Sequence, residues 1–130
     1  MSGKLGADHY RDHWSLPGGL LEHDEPPHAG CRREVAEELG LQITPGPLLT
    51  IDWMPPDGIR PRPIMHFIFE GGELGDDAPI RLQQEELEEY RFVEAGELTD
   101  YLPPIIAARV NAALRSRVAG KTAYLPQTRP

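Results

Sequence analysis

Cysteine is nearly absent from this chain: Cys31 is the only one in 130 residues. A lone thiol closes no internal disulfide, which excludes a small oxidised domain stapled by cysteines and points to a reducing, cytoplasmic setting. Also missing is any apolar run near the ~20 residues that a membrane-spanning helix needs. The opening MSGKLGADHYRDHW lacks the apolar centre of a signal peptide. Positive charge is scarce as well. Thirteen Lys and Arg stand against 21 Asp and Glu, a formal charge of −8. Wrapping a nucleic-acid duplex takes a surplus of cations to displace counterions, so that partner class is excluded. A small phosphorylated ligand remains compatible, held by local arginine and metal.

What is present is ordinary globular material. Apolar residues make up 39% and charged residues 26%, enough for one core, and a chain of this length is expected to form one domain over residues 1–130. Residues 1–13 are polar apart from Leu5 and Tyr10 and read as loop. Trp14 to Leu16 reads as a short strand entering a turn at Pro17-Gly18-Gly19. A helix is expected from Pro26 or Pro27, because proline is tolerated in the first turn, to Leu39, with Gly40 just past its end. Leu48 to Trp53, Ile64 to Phe69, Ile80 to Leu82 and Glu88 to Val93 read as strands. The second of these is apolar on both alternating sets and is expected to be an inner strand. A last helix is expected over Pro104 to Val118, followed by a loose tail over 120–130.

The chemistry concentrates in Gly19 to Leu41, GLLEHDEPPHAGCRREVAEELGL. On a helical wheel Glu34, Glu37 and Glu38 fall within about a 100° arc, where like charges repel by a few tenths of a kcal/mol per pair. A hard divalent cation offsets that repulsion, because carboxylate oxygens are its preferred ligands. Gly30 lies on the same arc and is expected to leave the cation unshadowed. Arg33 supplies an orienting cation, and Glu25 stands at the helix start, where the dipole favours an acid. The Gly18-Gly19 turn is able to bring a backbone carbonyl close to the metal. The bland alternative is an amphipathic helix with a solvated acidic face.

The spacing resembles the signature of the Nudix hydrolase family, G-x5-E-x7-R-E-U-x-E-E-x-G-U with U a bulky aliphatic. Gly19, Glu25, Arg33, Glu34, Val35, Glu37, Glu38, Gly40 and Leu41 fill every fixed place, a far more specific match than a lone glycine motif. The resemblance implies an α/β (α+β) fold, a mixed sheet sandwiched between helices. It also implies Mg²⁺- or Mn²⁺-dependent hydrolysis of a nucleoside diphosphate linked to another group, with ADP-ribose or a noncanonical nucleotide as candidates. By carry-over, Glu37 and Glu38 are metal ligands, Glu34 is a ligand or the general base, Gly19 lends its carbonyl, and Arg33, Glu25, Gly18 and Gly40 support the site. Glu85 and Glu86 are alternative candidates for the base, which this family also draws from a later loop. A binding or regulatory protein that does not cleave its ligand is the rival reading.

The remaining residues receive plainer readings. Arg60 and Arg62 are weak candidates for substrate phosphate, against a reading as solvated charge. Pro56, fifteen residues beyond Leu41, gives a weak similarity to the ADP-ribose pyrophosphatase subgroup. The histidines show no paired metal spacing, and Cys31 reads as a packed residue without an activating partner. Trp53, Tyr90 and Phe92 are expected in the core rather than stacked on a base. One departure from the family stands at the front, where the apolar first strand is expected to be missing. A late start codon, a chain cut at this point, an inactive fragment among its consequences, or an edge completed by a second subunit in a homodimer would each account for it. Truncation is the favoured account.

Overall fold

The computed structural model describes residues 4–10, 13–72, 79–82 and 89–126. Its first element corrects the expectation of a polar loop and a missing first strand: Lys4–Tyr10 forms β1. The strand lies between β2 (His13–Ser15) and β5 (Glu89–Glu94), antiparallel to both. A strand paired on both edges is held by its backbone, whose N–H and C=O groups all need partners. It therefore does not require the continuous apolar run that the sequence withholds.

The second sheet is mixed. Its order is β4 (Ile64–Phe69), β3 (Leu48–Met54), β6 (Ala123–Leu125), with β3 antiparallel to β4 and parallel to β6. Two expectations are corrected here. Among the described residues β4 is an edge strand of this sheet, with Met65 half exposed, and not an inner one. The segment after Gly120 is not loose throughout, because Ala123–Leu125 completes the sheet and Leu125 is buried. Residues 79–82 carry no strand; there Arg81 donates its N–H to the Leu39 carbonyl at 2.7 Å. Trp53 and Phe92 are more than a third exposed and do not belong to the core.

Helix α1 spans Pro27–Leu39 and stops where the sequence says it should. Pro27 occupies the first turn, and Gly40 adopts φ 67°, donating its N–H to Ala36 O at 3.0 Å. A left-handed glycine at that place satisfies a carbonyl that the helix leaves open. Val35 and Leu39 are buried with Leu41 and pack against Ile43, Ile80 and Leu82. That packing fixes which face of α1 stays outside, the face carrying the acids.

Helix α3 (Pro104–Ala119) follows a short helix α2 (Leu98–Tyr101) and repeats the same proline start and glycine stop. Val93, Leu98, Leu102, Ala107 and Val110 form a second core cluster, joined by Trp14 and Leu16 from beside the turn. The Trp14 ring meets Tyr101 edge to face at 5.6 Å. This cluster anchors the chain immediately before Pro17-Gly18-Gly19.

One charged pair crosses the interior. Arg109 Nε of α3 donates to Asp52 Oδ2 of β3 at 2.6 Å, with Asp52 fully buried and Arg109 nearly so. Removing one partner of a buried pair strands the other charge, so Arg109→Ala is expected to cost about 3–5 kcal/mol. Urea unfolding measures it, and a loss below about 1 kcal/mol would show that the pair is dispensable.

Candidate active site

Four residues of the loop before α1 are tied to four positions along that helix. Gly18, at φ 144°, donates its N–H to Glu38 Oε2 at 2.8 Å. Gly19 lies against Glu34: a Cβ placed on it would stand 2.7 Å from the Glu34 carboxyl carbon. The Leu20 carbonyl accepts from Arg33 Nη2 at 3.0 Å. Leu21 covers Gly30, whose own Cβ, if it had one, would collide with the leucine side chain and sit 3.0 Å from Glu25 Oε1. Within the loop itself, Glu22 donates its N–H to Glu25 Oε1 at 3.0 Å.

Arg33 is the hub. Its guanidinium grips Glu25 in a two-pronged contact, Nε to Oε2 at 2.8 Å and Nη2 to Oε1 at 2.9 Å. Nη1 turns the other way, to Glu34 Oε1 at 3.0 Å and Glu37 Oε2 at 3.1 Å. Such charge-assisted forks are stronger and more directional than neutral hydrogen bonds. The Arg33 guanidinium, with the Glu22 backbone, holds the Glu25 carboxyl below its usual range, and Glu25 in turn raises Arg33.

The acid face of α1 is thus organised by one arginine and one loop. Among the described residues, no three His, Cys, Asp or Glu side chains converge closely enough to hold an ion. The reason is visible in the contacts: Glu34 and Glu37 lean on Arg33, and Glu38 accepts from Gly18. The donor set nevertheless fits a hard cation in its chemistry. It is all oxygen, it lies on one helix face, and Gly19 presents bare backbone to Glu34 where any side chain would intrude.

Other candidates fall elsewhere. Glu85 and Glu86 lie outside the described residues. Arg60 is engaged in its own loop, donating to the Arg62 carbonyl and to Pro55 O at 3.1 Å, while Asp57 Oδ1 accepts from the Ile59 and Arg60 amides at 2.8 and 2.7 Å. Arg62 is exposed. Burial pushes the Cys31 thiol up, which leaves little thiolate and suits a packed residue. Gly30 corrects its expected role: the space it leaves is filled by Leu21 and Glu25 rather than kept open for a cation. The Leu20 carbonyl, Leu21 and Glu22 were not singled out by the sequence, and no side-chain pattern signals a backbone acceptor.

Comparison with known proteins gives the family. The NUDIX domain family model matches residues 4–114. Over 30 residues the chain is 57% identical to a MutT-like protein of Streptomyces ambofaciens, a match covering 23% of this chain and only 20% of that protein. It is 31% identical over 118 residues to an RNA pyrophosphohydrolase of Hydrogenovibrio crunogenus, covering 79% of this chain and 69% of that one. Among solved structures, the E. coli ORF135 protein superposes with a TM-score of 0.71 at 20% identity, over 92% of this chain and 85% of that one. Likeness at that identity concerns the fold alone.

Proposed function

This chain belongs to the Nudix family, and from that membership we propose that it hydrolyses a pyrophosphate bond in a nucleoside diphosphate linked to a further group, with Mg²⁺ or Mn²⁺ as cofactor. The observation that carries the reading is the acid face of α1, where Arg33 ties Glu34 and Glu37, Glu38 accepts from Gly18, and Gly19 keeps its backbone bare against Glu34. Glu34, Glu37 and Glu38 would hold the cation, with the Gly19 carbonyl as a further oxygen. When bound, the cation supplies charge neutralisation for the phosphate oxygens and activates water.

The chain's own residues then divide the work. Arg33 orients Glu34 and Glu37 through one nitrogen and anchors to Glu25 through the rest of its fork. Phosphoryl transfer rests mainly on positioning and electrostatic stabilisation, so a rigid frame of this kind is what the reaction asks of a protein. Glu34 is a candidate for the base as well as for the ion, and Glu85 or Glu86 is the alternative. Glu85→Gln/Glu86→Gln is expected to lower the hydrolysis rate about 10²-fold if one of them takes the proton. Unchanged turnover across the pH profile would return that role to Glu34. Arg62, exposed on the β3–β4 loop, is a candidate contact for substrate phosphate, with Arg60 shaping the loop.

No described helix is long and apolar enough to cross a membrane. A cytoplasmic site of action is supported by the use of a single cysteine. The deciding experiment is product release from a substrate panel with Mg²⁺ and with EDTA. ADP-ribose, noncanonical nucleoside triphosphates and an RNA with a terminal pyrophosphate belong in it, the last because of the name borne by the Hydrogenovibrio relative. Hydrolysis of one class, abolished by EDTA, is expected; EDTA-insensitive turnover, or none across the panel, would overturn the reading.

A further inference from the structure

The loop from Gly18 to Glu22 lies as a strap along α1, and it touches the helix through two of the carboxylates that would hold the proposed cation and through the arginine that orients the site. Gly18 takes an oxygen of Glu38, Gly19 lies on Glu34, and the Leu20 carbonyl takes Arg33. What keeps the strap seated is less obvious. Gly18 and Gly19 have no side chains to pack and lose the most backbone freedom on being fixed. Leu20 is 81% exposed and the Glu22 side chain 67% exposed. Leu21 differs: with its outer side still in solvent at 45% exposure, it covers the buried backbone of Gly30, in space that a Cβ on Gly30 would contest.

We propose that Leu21 is a positioning residue for the metal site: seated over Gly30, it holds the glycine pair against Glu34 and Glu38. The inference rests on the hydrolase reading for its metal and adds a residue that the family signature leaves unspecified. Leu21 contacts neither the cation nor the substrate. It acts through the strap, by limiting how far Gly18 and Gly19 leave the two carboxylates. The hydrogen bonds from Gly18 to Glu38 and from Arg33 to the Leu20 carbonyl are polar, and water can replace each of them, whereas it cannot replace the apolar seat of Leu21. Without Leu21 the Gly19 carbonyl and the Glu38 carboxylate would no longer be held in one arrangement before the ion arrives.

The test compares the whole chain with Leu21→Ala and with Leu21→Met, which restores an apolar side chain of similar volume. In metal-free protein, amide exchange at Gly18 is expected to be faster in Leu21→Ala than in wild type and to be restored in Leu21→Met. Mn²⁺ affinity, titrated without substrate, is expected to fall about tenfold in the alanine variant and to recover in the methionine variant, the scale typical of groups that orient metal ligands. If Leu21→Ala does not fold, Leu21→Val carries the same expectation at smaller amplitude. Wild-type Mn²⁺ affinity and wild-type Gly18 exchange in the alanine variant would overturn the proposal. A wild-type chain that binds Mn²⁺ but hydrolyses nothing in the panel would overturn the catalytic reading and leave this one standing.

Discussion

Glu38→Gln is expected to lower Mg²⁺-dependent hydrolysis about a thousandfold, roughly 4 kcal/mol of barrier, on the scale seen when one preorganised group that stabilises a developing charge is removed. The substitution separates two roles. The neutral amide introduced there would keep a carbonyl oxygen able to accept the Gly18 N–H, now held at 2.8 Å by the carboxylate. The strap therefore stays seated and the fold is expected to lose less than about 1 kcal/mol. What disappears is the negative charge, which a hard cation needs and the strap does not. Turnover assayed at saturating Mg²⁺, with the thermal transition recorded beside it, reads both halves. Wild-type turnover would remove Glu38 from the metal site, and a collapsed melting curve would show that its charge serves the fold instead.

The parts of this arrangement that the sequence made legible are those written in local chemistry. Helix α1 begins at Pro27 and ends before Gly40 because a ring without an N–H and a residue tolerant of φ 67° belong at those two places. The acid face follows from 3.6-residue periodicity, and β3 and β4 from their apolar content. Strand β1 was illegible because its place is set by backbone pairing with β2 beside it and with β5 far along the chain at Glu89–Glu94, and not by its own polar side chains. β6 was missed for the same reason: three residues after a glycine acquire their structure only by lying parallel to β3. At the site, residue type showed which groups could hold a cation. It could not show that the Gly18 N–H takes Glu38 or that the Leu20 carbonyl takes Arg33, since a backbone amide and a carbonyl leave no mark on the sequence.

Arg33 carries the second large effect. Arg33→Met is expected to lower the hydrolysis rate about 10–100-fold, as loss of a group orienting metal ligands commonly does. Methionine fills similar space without charge, so Glu34 and Glu37 lose the nitrogen that holds both, and Glu25 loses both prongs of its contact. Arg33→Lys is expected to recover only part of the rate, because a point charge cannot reproduce a fork that reaches Glu25, Glu34 and the Leu20 carbonyl at once. The same contacts set an acid limit. Arg33 depresses the Glu25 pKa from 4.5, so Glu25 contributes stability above that value and loses it as pH falls through the lower folded value. In Arg33→Met the Glu25 carboxyl titrates nearer its ordinary value, and the acid side of the stability profile is expected to move to higher pH. Activity and acid unfolding measured on one preparation test both consequences. A variant within twofold of wild-type rate would overturn Arg33 as the organiser of the acid face, and an unmoved acid limb would show that Glu25 owes its charge to the Glu22 backbone alone.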